Sequence, residues 1–275
     1  MKVAAVGECT IDRYVERGIE RVGGISLNFA VNAKQLGAAE VALVSCTGTD
    51  PAATTVRARV AMAGLSMSDL ASLPGRTASQ IIHLGADGER IFPPGGYDAG
   101  VLERFHLDDA ALSKLRGADV VAFPWFRQIA ELVAPLLDPH ELATTRVIDL
   151  LDGADLGPDL AGIDALLGCS DIAFISGGEE LAERLLPRSR RTRSLIVVTH
   201  GSAGSSALVR GERLVTAAVP VPQSETIDST GCGDAFQAAF TLQYMGNGDV
   251  RAALEAGARR AALVLRHLGA TLDDG

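Results

Sequence analysis

The sequence predicts an α/β fold: three layers, with a mostly parallel sheet covered by helices on both faces, plus a β-hairpin. Three observations carry this expectation. Residues 3–7 are a short apolar run stopping at Gly7, which marks a buried first strand. From Asp119 onward, strand-like and helix-like runs alternate at the spacing that right-handed crossovers need. Between these regions, residues 77–84 and 89–92 are strand-like runs around Asp87-Gly88, which reads as a β-hairpin.

Composition narrows the class. A chain of 275 residues that is 47% hydrophobic can bury one large core. Its net charge is −9, and its basic residues are scattered, which argues against a nucleic-acid footprint. Arg13, Arg17 and Arg21 are interleaved with Glu16 and Glu20, and residues 188–193 read as a solvated basic loop. Cys9, Cys46, Cys169 and Cys232 form no C-x-x-C pair, so neither zinc nor a disulfide framework is expected. The first apolar run is too short for a signal peptide, and no run approaches the roughly 20 residues of a membrane helix. A cytoplasmic protein is expected, with no nucleic-acid or membrane partner.

The elements follow in order. Ser26 is placed to cap a helix that runs to Leu36 and closes at Gly37. Asn28, Asn32 and Gln35 share one face of it, a stripe either solvated or turned toward a ligand, and Gly23-Gly24 brings backbone close to something just before it. Residues 41–46 read as a strand, Thr47-Gly48-Thr49-Asp50 as a turn and 56–62 as a helix. Further strands are expected at 119–123, 146–150, 171–175 and 195–199, with a helix at 128–137. A strand at 213–221 broken by Pro220, a helix at 235–245 with Gly246 beyond it, and a helix at 256–268 complete the set. One domain over 1–275 is expected. Two tempting signals are set aside: a lone His200 in a turn reads as structural, and His140-Glu141 lacks the second His of a zinc helix.

The chemistry concentrates at residues 227–236, Ile-Asp-Ser-Thr-Gly-Cys-Gly-Asp-Ala-Phe. There a loop turns into a helix, whose first amides lack internal partners at the positive end of its dipole. Gly231, Cys232 and Gly233 would thus form an anion site suited to phosphate. Asp234 beside it repels an anion, unless its task is to take a proton from whatever attacks that anion. General base plus phosphoryl-stabilising amides describes phosphoryl transfer to an alcohol. On G-x-G-D alone, an ordinary helix start is an equal alternative. The chain contains no Gly-Lys pair and hence no P-loop.

Residues 228–234 resemble the D-[ST]-x-G-[AC]-G-D signature of the PfkB, or ribokinase-like, carbohydrate kinases. Gly23-Gly24-Ile25-Ser26-Leu27-Asn28-Phe29-Ala30, followed by Leu36-Gly37, resembles that family's N-terminal G-G-x-x-x-N-x-A signature. The resemblance implies the ribokinase-like α/β/α fold and roles for Asp12, Gly23, Gly24 and Asn28 in holding sugar hydroxyls. It implies a small β lid over the sugar, with segments near 12–22 and 76–97, and a nucleotide lined by Ser176 and, in the turn from Val197 to Gly204, by Thr199, Gly201 and Gly204. Ser176-Gly177-Gly178-Glu179 is similar to the family's N-x-x-E, so Glu179 with Asp228 is expected on the Mg2+ side. The implied substrates are ATP and a sugar or sugar derivative, with a K+ site beside Gly269-Ala270 and a homodimer through the lid as features of some members. Two departures stand out: Ser176 replaces the usual Asn, and the glycine expected near Ala53 is missing. They slightly favour a rival reading, a sugar-binding regulator that has lost catalysis; a nucleoside or vitamin kinase shares the fold. Gly23 to Val31 loosely resembles the fructoselysine kinase branch.

Overall fold

The computed structural model describes residues 1–85, 87–138, 140–157, 159–160 and 162–272. The chain opens with β1 (Lys2–Val6), β2 (Thr10–Tyr14), β3 (Ile19–Gly23), α1 (Ile25–Gln35), β4 (Glu40–Thr47) and α2 (Pro51–Met62). Then come β5 (Leu70–Ser72), β6 (Ser79–Leu84), β7 (Arg90–Ile91), β8 (Tyr97–Asp98), α3 (Asp109–Arg116), β9 (Val120–Pro124) and α4 (Ala130–Leu137). The third part is β10 (Thr145–Asp152), α5 (Ile163–Gly168), β11 (Ile172–Ser176), α6 (Glu179–Ser189) and β12 (Leu195–Thr199). It closes with β13 (Ser205–Val209), β14 (Glu212–Thr216), α7 (Cys232–Asn247) and α8 (Val250–Val264).

Nine strands form the main sheet in the order β14-β13-β12-β11-β10-β9-β1-β4-β5. Every pairing from β12 to β5 is parallel, and the β12-β13-β14 edge is antiparallel. Alternation along β1 sets the layers. Val3 and Ala5 face a core shared with α1, α2, α7 and α8, whereas Ala4 and Val6 face one shared with α3 to α6. Burial on both faces explains why these strands read as unbroken apolar runs. The reversal of strand order falls at β1, so the crevice at the strand C-termini opens between β1 and β9.

The lid is a second sheet, ordered β3-β2-β6-β7, with β8 also on β6. β2 and β6 pair in parallel although their starts, Thr10 and Ser79, lie 69 positions apart, and β6 and β7 make the expected hairpin, His83 opposite Ile91. Ala86 in its turn lies outside the described residues. Val15, Ile91 and Phe92 are exposed on this sheet.

Several boundaries differ from expectation. Gly24, not Ser26, is the N-cap of α1; the Ser26 hydroxyl donates to the Val6 carbonyl at 2.9 Å. The expected 213–221 strand stops at Thr216, and β13, unforeseen, precedes it. α7 passes Gly246 and ends at the left-handed Gly248, whose amide donates to Tyr244 at 2.7 Å. α8 begins at Val250, because the Asp249 carboxylate accepts from the Ala252 amide at 3.0 Å and caps it there. No helix among the described residues is long and apolar enough to cross a membrane.

Candidate active site

Asp234 lies in the first turn of α7, which is locked into the core by Phe236 and Phe240 packed against Phe174. Its Oδ2 accepts from Asn28 Nδ2 at 2.7 Å, joining the two signature segments across 206 residues. Burial pushes its pKa up to about 8; the Asn28 bond and the Arg90 guanidinium pull it down, and the Asp149 and Glu8 carboxylates push it up. A carboxyl that takes up and releases its proton close to neutral pH is well matched, once ionised, to accepting one from an alcohol. The Asn28, Asn32 and Gln35 stripe is not solvated as a whole. Asn28 and Asn32 are buried, Asn32 donates to the Asn28 carbonyl, and Arg260 binds Asn32 Oδ1 at 2.7 Å and the Gln35 side chain.

The signature loop is pinned from three sides through Asp228, which is fully buried. Its carboxylate accepts from the Tyr14 hydroxyl at 2.7 Å, the Gly269 amide at 2.9 Å and the Thr230 amide at 2.9 Å. Gly231 caps α7 with φ +76°, and a Cβ there would lie 2.4 Å from Ala270 Cβ. Only glycine allows both the left-handed turn and that approach. Of the three amides assigned to the anion site, that of Cys232 is already spent on the Ser229 carbonyl at 3.2 Å. That leaves Gly231 and Gly233, joined by the Asp234 amide, a donor the sequence reading passed over.

Cys232 itself is inert. Burial pushes its thiol up to about 12, and Sγ makes only a 3.6 Å contact with the Ala261 carbonyl. Cys232→Ala is expected to keep kcat within about threefold; a hundredfold loss in a steady-state assay would give the thiol a role.

Asp12, expected on the acceptor side, is held by Thr10 Oγ1 at 2.7 Å and lies over Gly23, where a Cβ would fall 2.0 Å from Oδ2. Gly23 thus lets the backbone pass against the Asp12 carboxylate, and Gly24, at φ +106°, lets it pass against the Glu8 and Cys9 backbone. The lid tip docks on the signature loop. The Ser229 amide donates to the Gly88 carbonyl at 3.0 Å, the Arg90 amide donates to Ser229 Oγ at 3.1 Å, and Arg90 Nη1 donates to the Ser229 carbonyl at 2.8 Å. Arg90 thereby brings positive charge toward Asp234 and Asp149.

The residues expected on the nucleotide side cluster at the ends of β11 and β12. Ser176 and Thr199 hydroxyls lie 3.1 Å apart, and Gly201 and Gly204 shape one turn after Thr199. His200 is structural, its ring nitrogens meeting the Gly177 carbonyl at 2.7 Å and Ser206 Oγ at 2.9 Å. The two residues expected on the metal side have other partners. Asp228 serves the junction above, and Glu179 is paired with Arg213, which holds its carboxyl below the usual range. Among the described residues no group of three or more His, Cys, Asp or Glu could hold a metal ion.

The pfkB family carbohydrate kinase model matches residues 2–274. This chain belongs to that family. It is therefore a phosphotransferase with a hydroxyl acceptor. The fructosamine kinase FrlD of Bacillus subtilis is 26% identical over 274 residues, covering 95% of this chain and 90% of the relative. The crystal structure of adenosine kinase from Sinorhizobium meliloti superposes with a TM-score of 0.85 at 19% identity, covering 99% of this chain and 96% of the other. A putative ribokinase II from E. coli, solved in complex with ATP and Mg2+, superposes with a TM-score of 0.79 at 19% identity, covering 100% and 96%. At those identities the two structures establish the ribokinase-like fold.

Proposed function

We propose that this chain uses ATP to phosphorylate a hydroxyl of a sugar or sugar derivative, with Asp234 as general base. The observation that carries this is the buried Asn28–Asp234 pair at the N-terminus of α7, because a binding protein has no need of a buried carboxyl poised near neutral pH. The acceptor O–H gives its proton to the Asp234 oxygen that Asn28 leaves open. The oxygen then bonds to the γ-phosphorus while the bridging P–O bond breaks, and ADP departs with the electron pair. The Gly231, Gly233 and Asp234 amides and the Arg90 guanidinium face the charge spread over the phosphoryl oxygens.

Asp12, Gly23, Gly24 and Asn28 would hold the sugar, and Ser176, Thr199, Gly201 and Gly204 the nucleotide. Mg2+ would neutralise charge on the nucleotide phosphates. This donor set suits an ion carried mainly by phosphates and water, with Glu179 reaching those waters only by exchanging its Arg213 partner. The lid segments near 12–22 and 76–97 and the α/β body would act as one unit, the lid keeping water from the phosphoryl group.

The test is ADP release from ATP and Mg2+ over a panel of ketoses, fructosamines, aldoses and nucleosides, with and without K+. Acceptor-dependent release is expected, with kcat/KM climbing between pH 6 and 8 as Asp234 ionises. Sugars that raise Tm without any release would support a sugar-binding regulator instead.

A further inference from the structure

The tip of the β6–β7 hairpin and the signature loop meet at one residue, Ser229, which is 7% exposed. Its amide donates to the Gly88 carbonyl at 3.0 Å. Its hydroxyl accepts from the Arg90 amide at 3.1 Å and donates to Glu89 Oε2 at 3.1 Å. Its carbonyl accepts from Arg90 Nη1 at 2.8 Å and, on the loop side, from the Cys232 amide at 3.2 Å. Every polar group of Ser229 thus binds the hairpin tip, and its carbonyl also closes the turn into α7. Packing reinforces the joint. Gly88 sits at φ +80°, where a Cβ would lie 3.1 Å from Thr226 Cγ2 and 3.3 Å from the Ile227 carbonyl oxygen. Gln223 Nε2 donates to the Asp87 carbonyl at 3.0 Å beside it.

The residues on either side of Ser229 are held differently. Asp228 is fixed by Tyr14 and the Gly269 amide, neither of them in the hairpin. The turn from Ser229 to Cys232 is closed by the Ser229 carbonyl. If the tip withdraws, the Ser229 amide and hydroxyl lose partners at a buried position, which is costly, and the carbonyl is free to turn. The Cys232 amide follows its partner, and the flanking Gly231 and Gly233 amides move with it. Glycine at both positions offers little resistance to that rotation. Withdrawal also takes away the Arg90 guanidinium, the cation that acts on Asp234 and Asp149. Hairpin position and amide direction are therefore linked.

We infer that Ser229 is a positioning residue that couples the hairpin to the anion site: the Gly231 and Gly233 amides are aimed at the phosphoryl group only while residues 88–90 are docked. This rests on the kinase reading above and names a regulation of that same site. A hairpin that only shielded the acceptor would leave a competent site behind when it opened, and water would then take the phosphoryl group. A coupled hairpin disarms the site as it opens.

The experiment measures acceptor-dependent ADP release, acceptor-independent ATP hydrolysis and hydrogen exchange of the Cys232 amide. Wild type, Ser229→Ala, Ser229→Thr and Glu89→Ala are compared; Glu89 is exposed, so its variant serves if Ser229→Ala folds poorly. Ser229→Ala loses two hydrogen bonds and should lower kcat about tenfold, with KM for ATP within about twofold. Glu89→Ala loses one and should lower kcat about fourfold. Ser229→Thr keeps the hydroxyl and should stay within about threefold of wild type. Acceptor-independent hydrolysis should fall in step with kcat, and Cys232 exchange should quicken in Glu89→Ala although that substitution lies in the hairpin. Hydrolysis that holds or rises while kcat falls identifies a plain shield and overturns the coupling, and so does kcat unchanged in both Ala variants; each leaves the kinase reading intact. If no acceptor releases ADP in wild type, hydrogen exchange decides alone. Quickened Cys232 exchange in Glu89→Ala upholds the coupling although the kinase reading fails, and unchanged exchange overturns it.

Discussion

Asp234→Asn should lower kcat by about 10²- to 10⁴-fold, with KM for the acceptor changed only a few-fold. The amide has the size of the carboxylate, and its oxygen can accept from Asn28 Nδ2 as Oδ2 does now, so the acceptor site keeps its shape. What disappears is the proton acceptor. The same substitution should stabilise the protein, with a definite pH signature. The folded-state pKa of Asp234 is raised from 3.8 to about 8. Stability from this group is therefore complete below pH 4 and is lost as pH rises through 8, where a buried charge that Asn28 and Arg90 only partly offset must sit in the interior. Asn carries no such charge. Its Tm advantage over wild type should widen from pH 5 to pH 8, reaching on the order of 5 °C, and then level off. Paired melts and steady-state rates across that range check both halves. Turnover near wild type would remove Asp234 as the base, and a mutant that melts lower at pH 8 would mean that its charge is compensated.

Gly231→Ala should be comparably damaging by another route. A side chain at φ +76° costs about 1 kcal/mol in a left-handed conformation. Its Cβ would also lie 2.5 Å from the Ala270 Cα and carbonyl oxygen, which are backbone atoms that cannot swing aside. The loop must therefore lift from the 269–270 turn and carry its amides off the phosphoryl group. Misalignment of about 1 Å is enough for a loss near 10²-fold in kcat. Gly233 is the control: a Cβ there meets nothing within 4 Å, so Gly233→Ala should keep Tm within about 2 °C. Ala270→Gly added to Gly231→Ala would remove only the Cβ contact and leave those with the Ala270 backbone, so it should restore little of the activity. Wild-type kcat in Gly231→Ala would show that the loop tolerates displacement.

The sequence made legible what is encoded locally. The apolar runs of β1, β9, β11 and β12 needed only burial on both faces, and the Asp87-Gly88 turn marked the lid hairpin. The pair Gly231 and Gly233 with Asp234 marked the reacting end. β13 was hidden because its first residues, Ser205 and Ser206, are polar yet buried; Ser206 Oγ accepts from Arg213, a partner seven residues on. The lid strand β2 read as a polar stretch because its alternation serves a parallel partner far along the chain. Glu8, Asp149 and Arg90 carried no motif. A buried carboxylate shows in sequence only as an acid at the end of an apolar run, and many solvated acids look the same. The partners of Asp228 and Glu179, Tyr14 and Arg213, follow from tertiary packing alone.

The Asp228 junction also bears on how the molecule is made. Tyr14 emerges from the ribosome early, Asp228 more than two hundred residues later, and Gly269 close behind. The sheet can begin to assemble while synthesis proceeds, yet the carboxylate that welds lid, loop and closing turn has no complete set of donors until residue 269 is free. Contacts of such sequence separation are the slow ones to form. A nascent chain would thus present a nearly finished scaffold before its signature loop is pinned in place.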